Sequence, residues 1–261
     1  KADYLDLQNE IATKLASELK GGLDATEAQQ LAQKATENPE AQAEYQAGRL
    51  EWNKRSKQGF DDAIKHFEKA IEMDPNYADP YVGLGDTYGL LSIYNFSPSS
   101  EAMPKAKSYA RQALEINPSF PGAYTSLAWV LHKYEYDWAG AEQNYRKAIE
   151  LNPNHATANH WYGIFLFETR RDEKAVERIK IATQLAPNSK IIQYSYAEAN
   201  WRIGRDADAL KAAEKSLVID PNFPFALRQK HVLLGIGTPE DSIKRFEEAL
   251  AVYPNQPVLR H

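Results

Sequence analysis

Six stretches of the chain end alike, and that recurrence restricts the fold more than any other feature. They are AIEMDPN from Ala70, ALEINPS from Ala113, AIELNPN from Ala148, ATQLAPN from Ala182, SLVIDPN from Ser216 and ALAVYPN from Ala249. Their prolines, Pro75, Pro118, Pro153, Pro187, Pro221 and Pro254, are separated by 43, 35, 34, 34 and 33 residues. A period near 34 is that of a two-helix unit, which cannot bury its apolar face alone and must stack on its neighbours.

The residues inside each period fit helix packing. Twelve before each proline stands a small residue, Ala63, Ala106, Ala141, Ala175, Ala209 or Ser242, and five before it another, Ala70, Ala113, Ala148, Ala182, Ser216 or Ala249. Seven apart is close to two turns, so both lie on one face, where lack of bulk lets a second helix approach. Phe67, Ala110, Tyr145, Ile179, Ala213 or Phe246 falls on the same stripe, four residues after the first small one. The proline then stops the helix, because it disfavours helical geometry before it and cannot donate into a continuing ladder.

Upstream of each such helix lies a partner. Tyr81, Leu84, Gly85 and Tyr88 follow W-x2-L-G-x2-Y with conservative changes, Tyr124, Leu127, Ala128 and Leu131 do so again, and Gly163 and Ala197 supply the small residue in the next two units. Over roughly residues 39–256 the chain therefore resembles the tetratricopeptide-repeat family. The resemblance implies an all-α, right-handed superhelical solenoid of antiparallel helix pairs, with repeats at about 41–77, 78–120, 121–155, 156–189, 190–222 and 223–256. Residues 1–38 would be a helical capping or linker segment and 257–261 a tail. Gly48 to Ala63 is three residues longer than the family spacing and Gly85 to Ala106 nine longer. The second excess, LLSIYNFSPSSEAMPK from Leu90 to Lys105, is expected to lengthen the turn between paired helices, with Tyr94 and Phe96 either contacting a partner or, the favoured reading, covering the neighbouring repeat's core. Lys230 stands where the sixth unit should have its glycine, so that unit's first helix is expected to be less regular.

In the family, first helices line a concave groove. Carried onto this chain, the groove-facing positions are Tyr45, Arg49 and Trp52; Asp86; Trp129, His132 and Lys133; His160, Ile164 and Phe167; Tyr194, Glu198, Trp201 and Arg202; and His231. Aromatic and arginine side chains dominate interface energies, so the list suits a protein or peptide partner with apolar anchors and a few charges. The lysine and asparagine pair with which some family members clamp a chaperone's terminal carboxylate is absent: the corresponding position holds Val82, Thr125, His160 and Tyr194.

Composition removes other classes. With 36 acidic against 31 basic side chains and a net charge of −5, there is no broad basic field for phosphate backbones or anionic lipid, so neither nucleic acid nor membrane is expected of this region. No run of eighteen apolar residues occurs, and there is no cysteine for disulfides, thiolate chemistry or thiolate-bound metal. The phosphate-loop, zinc-protease, serine-hydrolase and kinase signatures are absent. Gly83, Gly85 and Gly89 sit at a helix-packing position with no preceding strand, and His155 and His160, five apart, fit metal ligation poorly. No catalytic residue, metal or cofactor is therefore expected.

Residues 1–36 lack the repeat signature. Leu5, Ile11, Leu15 and Leu19 form a helical stripe ended by Gly21-Gly22, after which Asp24 or Thr26 can cap a second helix, and the segment is expected to cap the solenoid's end. The chain starts at Lys1, which suggests a fragment. The runs DLQNEIATKLASEL from Asp6, ENPEAQAEYQAGRLEWNKRSKQGFDDAIKHFEKAI from Glu37 and YDWAGAEQNYRKAIELNPNHATANHWYG from Tyr136 resemble the repeat region of multidomain bacterial signalling proteins. In those proteins a TolB-like region and a kinase, cyclase or winged-helix effector precede the repeats. The resulting expectation is a non-catalytic scaffold that docks or senses for a larger, cytoplasmic signalling protein. Self-association, bringing upstream effectors together as a homo-oligomer, is the alternative.

Overall fold

A computed structural model describes residues 36–235, and among them every regular element is a helix. The first helices of successive units are α1 (Pro39–Asn53), α3 (Ala78–Ile93), α5 (Pro121–Val130), α7 (Ala156–Glu168), α9 (Lys190–Arg202) and α11 (Pro224–Leu234). The second helices are α2 (Lys57–Met73), α4 (Ser99–Ile116), α6 (Trp138–Leu151), α8 (Asp172–Leu185) and α10 (Asp206–Ile219). Each first helix packs on its own second helix where one is described, on the second helix of the unit before, and on the first helices either side, so the pairs stack in series as a helical solenoid. The units predicted at the two chain ends are only partly covered: the capping segment and the sixth second helix around Ser242, Phe246 and Ala249 lie outside the described residues.

The small-residue stripe is the seam of this stack. Ala63, Ala106, Ala141, Ala175 and Ala209 are buried, as are Ala70, Ala113, Ala148, Ala182 and Ser216 and the stripe's middle members from Phe67 to Ala213. At Phe67 and Ile179 the facing first helices supply glycine. A Cβ on Gly48 would meet the Phe67 ring at 2.5 Å, one on Gly83 at 2.8 Å, and one on Gly163 would meet Ile179 at 2.4 Å. These are packing positions, as the sequence spacing of Gly83, Gly85 and Gly89 implies.

The turns between units repeat an atomic pattern. Asp74, Asn117, Asn152 and Asp220 leave the helix in extended geometry, and each side chain accepts the backbone N–H two residues on, at 2.9–3.1 Å. The next first helix is then tied back to the proline: Tyr81 Oη donates to the Pro75 carbonyl at 3.1 Å, Tyr124 Oη to Pro118 at 2.9 Å, Asn159 Nδ2 to Pro153 at 2.8 Å and Gln193 Nε2 to Pro187 at 3.0 Å. The proline thus ends one helix and orients the following one.

One departure from the sequence reading concerns the longer second unit. The excess residues of 90–105 do not form a long turn: α3 continues to Ile93, α4 starts at Ser99, and both helices are extended. The short turn between them presses Tyr94 and Phe96 onto Phe60 at centroid distances of 5.7 and 6.2 Å, covering the core of α2. In the third unit α5 ends in a π-turn, Leu131–Glu135, closed by Tyr136 at φ 56°. Similarly left-handed residues, Arg55, Asn95, Arg170 and Gly204, close the other described turns within pairs. Lys230 does not disturb α11, and its amine pairs with Glu214 on α10 at 3.0 Å.

Candidate binding groove

The inner face formed by the first helices contains two hollows that share Arg55, His160, Trp161 and Ile191. The larger, about 580 Å³, lies between the C-terminal end of α1 and the start of α7 and of α9. Among the described residues, Arg49, Lys54, Arg55 and Lys190 line it together with Asp220, which pairs with Lys190 at 2.7 Å. The smaller, about 240 Å³, runs on between α3, α5, α7 and α9, and is walled mainly by Leu90, Ile93, Trp129, Trp161, Ile164, Phe167 and Tyr194. Its volume falls below the usual range for small-molecule sites and suits inserted side chains.

Arg55 joins the two. Its left-handed backbone, φ 57°, directs it off the end of α1, and its guanidinium lies 3.6 Å from the centre of the Trp52 ring, with Arg49 at 4.2 Å from the same ring. Only 4% of Arg55 is exposed, and burial lowers its pKa to about 10. Thus unit one reaches across the superhelix to unit four. Sequence periodicity gives no sign of this, because Arg55 belongs to a turn and the closure depends on accumulated superhelical winding.

The polar groups of the smaller hollow are held by one another. His160 Nε2 and Ser195 Oγ are 2.9 Å apart, Arg202 donates to Glu198 at 2.9 Å, and its guanidinium lies 4.0 Å from the Phe167 ring centre. Burial, with Arg55 nearby, depresses His160 to about pKa 3. The Ser195–His160 pair is therefore poorly matched to general-base work near neutrality, which needs an imidazole poised close to the ambient pH. At the rim, Glu168 holds both Lys133 and His132 Nε2, the latter at 2.9 Å. Burial opposes its ionisation, but those partners prevail and bring it to about pKa 2.

Arg49, Trp52 and His160 of the expected positions line the larger hollow, and Trp129, His160, Ile164, Phe167, Tyr194, Glu198 and Arg202 the smaller. Tyr45, Asp86, His132, Lys133, Trp201 and His231 line neither. Tyr45 packs on Phe67 and Tyr77, with centroids 5.8 and 5.5 Å away. Asp86 is buried, accepts the Ser126 hydroxyl and lies 3.7 Å from Arg49. His132 is turned inward by the π-turn among Trp138, Tyr145 and Phe165, and Lys133 is engaged by Glu168. Trp201 is 42% exposed outside the groove, and His231 is half-buried on α11. Trp52 and Trp129 are almost fully buried, and Trp129 packs tilted against Trp161 at a centroid distance of 4.4 Å. They form groove wall. His155 caps α7 by accepting the Ala158 N–H.

Among the described residues no helix is long and apolar enough to cross a membrane, and no three His, Asp or Glu side chains gather as metal ligands. A family model described as TPR repeat matches residues 54–92, and models described as tetratricopeptide repeat match 144–177 and 173–225. The type IV pilus assembly protein PilF of Pseudomonas aeruginosa is 34% identical over 122 residues, 46% of this chain and 48% of PilF. The transcriptional regulator HilA of Salmonella typhimurium is 25% identical over 218 residues, 80% of this chain and 39% of HilA. The chain thus spans less than half the length of these curated relatives. A solved PilF structure superposes with TM-score 0.52 at 28% identity, covering 70% of this chain and 77% of that one. The Thermus thermophilus repeat protein TTC0263 superposes at 0.53 with 19% identity over 81% of this chain and 99% of its own, a likeness of fold. With the recurrent turns and the small-residue seam, these matches show that the chain carries tetratricopeptide repeats over residues 54–92 and 144–225.

Proposed function

We propose that this chain is a non-catalytic scaffold whose inner groove holds a segment of another protein. The observation that carries the reading is the 240 Å³ cleft to which α3, α5, α7 and α9 all contribute, with apolar walls and charged groups fixed at its rim. Such a cleft takes apolar anchors, while Arg55, Glu168 and Arg202 set the register of neighbouring charges. Selection from a displayed peptide library tests it. Selected peptides should lose at least about tenfold in affinity to Ile164→Asp, roughly 1.4 kcal/mol. Undiminished binding of all of them would overturn the assignment.

The finer reading is a docking or sensing region of a larger bacterial signalling protein, located in the cytoplasm. The likeness to HilA, whose name is that of a transcriptional regulator, supports a regulatory setting. The alternative, self-association of upstream effectors, is favoured by the exposed apolar residues Val218, Val232 and Leu234 near the end of the described part. A mass that stays monomeric in light scattering at all concentrations would exclude it.

A further inference from the structure

The two hollows meet at a wall built from distant parts of the chain. Arg55, His160, Trp161 and Ile191 line both. Arg55 comes from the turn of unit one, His160 and Trp161 from α7 of unit four, and Ile191 from α9 of unit five. Units of a solenoid ordinarily touch only their neighbours, so this meeting is additional to the stacking seam. Arg55 is almost completely buried there, although it belongs to a turn. His160 feels its charge: protonation of the imidazole is opposed first by burial and then by Arg55. We propose that Arg55 is a latch, which holds the superhelix closed between unit one and units four and five and whose release joins the two hollows into one channel.

The seam and the wall are built differently. Neighbouring units interlock, with Phe67 seated between Gly48 and Gly83 and Ile179 against Gly163. To the wall, unit one contributes a side chain carried on a turn. The curvature of a solenoid is the sum of small rotations between successive units. Three interfaces separate unit one from unit four, so a small change at each parts the wall while every seam stays packed. Arg55 keeps its contact with the Trp52 ring, 3.6 Å from the guanidinium, as it withdraws, because both belong to unit one. A segment that runs through both hollows has to pass this wall, so its binding and the opening are coupled. That consequence rests on the groove reading above, whereas the latch itself does not.

The absence of cysteine permits a direct test in the full chain, with pairs of spin labels read by double electron–electron resonance. Leu50→Cys on α1 and Asn188→Cys before α9 are both exposed and belong to the two sides of the larger hollow. Leu50→Cys with the exposed Lys65→Cys on α2 reports on the pairing within unit one. Arg55→Ala should move the first pair to a longer, broader distance and leave the second pair unchanged. Should unit one itself be disturbed, Arg55→Gln, which keeps most of the side chain's length, is read by the same two pairs. An unchanged first pair beside an intact second pair would overturn the latch. Disturbance of unit one in both variants would overturn it too, by making Arg55 a residue of the helix pair alone. In the wild type, a library-selected peptide should populate the same longer distance, and binding at the closed distance would overturn the coupling. If the variants stay closed while Ile164→Asp still abolishes peptide capture, the groove reading stands without the latch. If they open while capture ignores Ile164→Asp, the latch stands and the groove reading falls.

Discussion

Inner and outer helices of the same unit obey different rules. In α3, twelve of sixteen residues are buried, polar Asp86, Thr87 and Ser92 among them; in α2, five of seventeen are, all on one face. An outer helix has solvent on one side and needs a single apolar stripe. An inner helix touches its own partner, the preceding outer helix and both inner neighbours, and its one remaining face lines the groove. Inner helices thus hold most of the buried polar groups, with Ser216 the outer-helix example among the described residues, and each such group needs a partner. Thr87 donates to the Gly83 carbonyl, Asp86 takes the Ser126 hydroxyl, and Asn159 binds Pro153.

The sharpest way to break this contrast is at the outer knob Phe67, fully buried between Gly48 and Gly83 of two inner helices. Phe67→Ala should lower unfolding free energy in urea by about 3–5 kcal/mol. Gly83→Ala alone should also destabilise, since its Cβ would meet the ring, yet cost much less in the Phe67→Ala background. Additive losses would show that the glycine is not there to admit the ring.

Inner polar burial is tested by pH. Burial depresses His160 to about pKa 3, so the unfolded chain binds a proton that the folded chain refuses. Its contribution is complete above pH 6.5 and is lost as pH falls from there towards 3. His155, at about 4, acts in the same sense, whereas Asp79 and Asp86, raised by burial to about 6, act oppositely, their stabilising share growing as pH falls from 6 towards 4. His160→Asn should therefore lose less stability than the wild type between pH 7 and 4, by about 3 kcal/mol at most. Parallel pH profiles would mean that the imidazole is not held neutral.

What the sequence reveals follows the same division. The outer stripe from Ala63 to Ser216 and the stopping prolines recur in register and are legible, because each depends only on the helix that carries it. The inner face is not. The family positions give Trp52, Trp129 and His132 as groove-facing, but whether an inner side chain meets solvent or a neighbour depends on how units wind over one another. Trp129 is taken up by Trp161 of the next unit, and His132 by a π-turn that the sequence does not announce. Arg55 is missed for the complementary reason: it lies between helices yet reaches a unit three repeats away.

Capping gives a smaller effect on the outer helices. The Asp137 side chain accepts the Gly140 N–H at 2.9 Å at the start of α6, and Asp137→Ala should reduce stability by about 1 kcal/mol in the same denaturation assay. No loss would show that water satisfies the end of this outer helix equally well.

The smallest effect belongs to the turns that reverse the chain from inner to outer helix. Arg170 is exposed and holds φ 60°, while the next unit places Gly204 at the corresponding point with φ 75°. A left-handed backbone costs a residue bearing Cβ about 1 kcal/mol, and glycine removes that penalty while adding freedom to the unfolded chain. Arg170→Gly should therefore gain a net few tenths of a kcal/mol, read as a slightly higher urea midpoint. Arg55→Gly removes the same strain but also takes the guanidinium off Trp52 and out of the groove, so it should lose stability. Opposite signs at two turns of like geometry would establish that Arg55 is retained for what its side chain does across the superhelix; equal signs would reduce it to an ordinary turn residue.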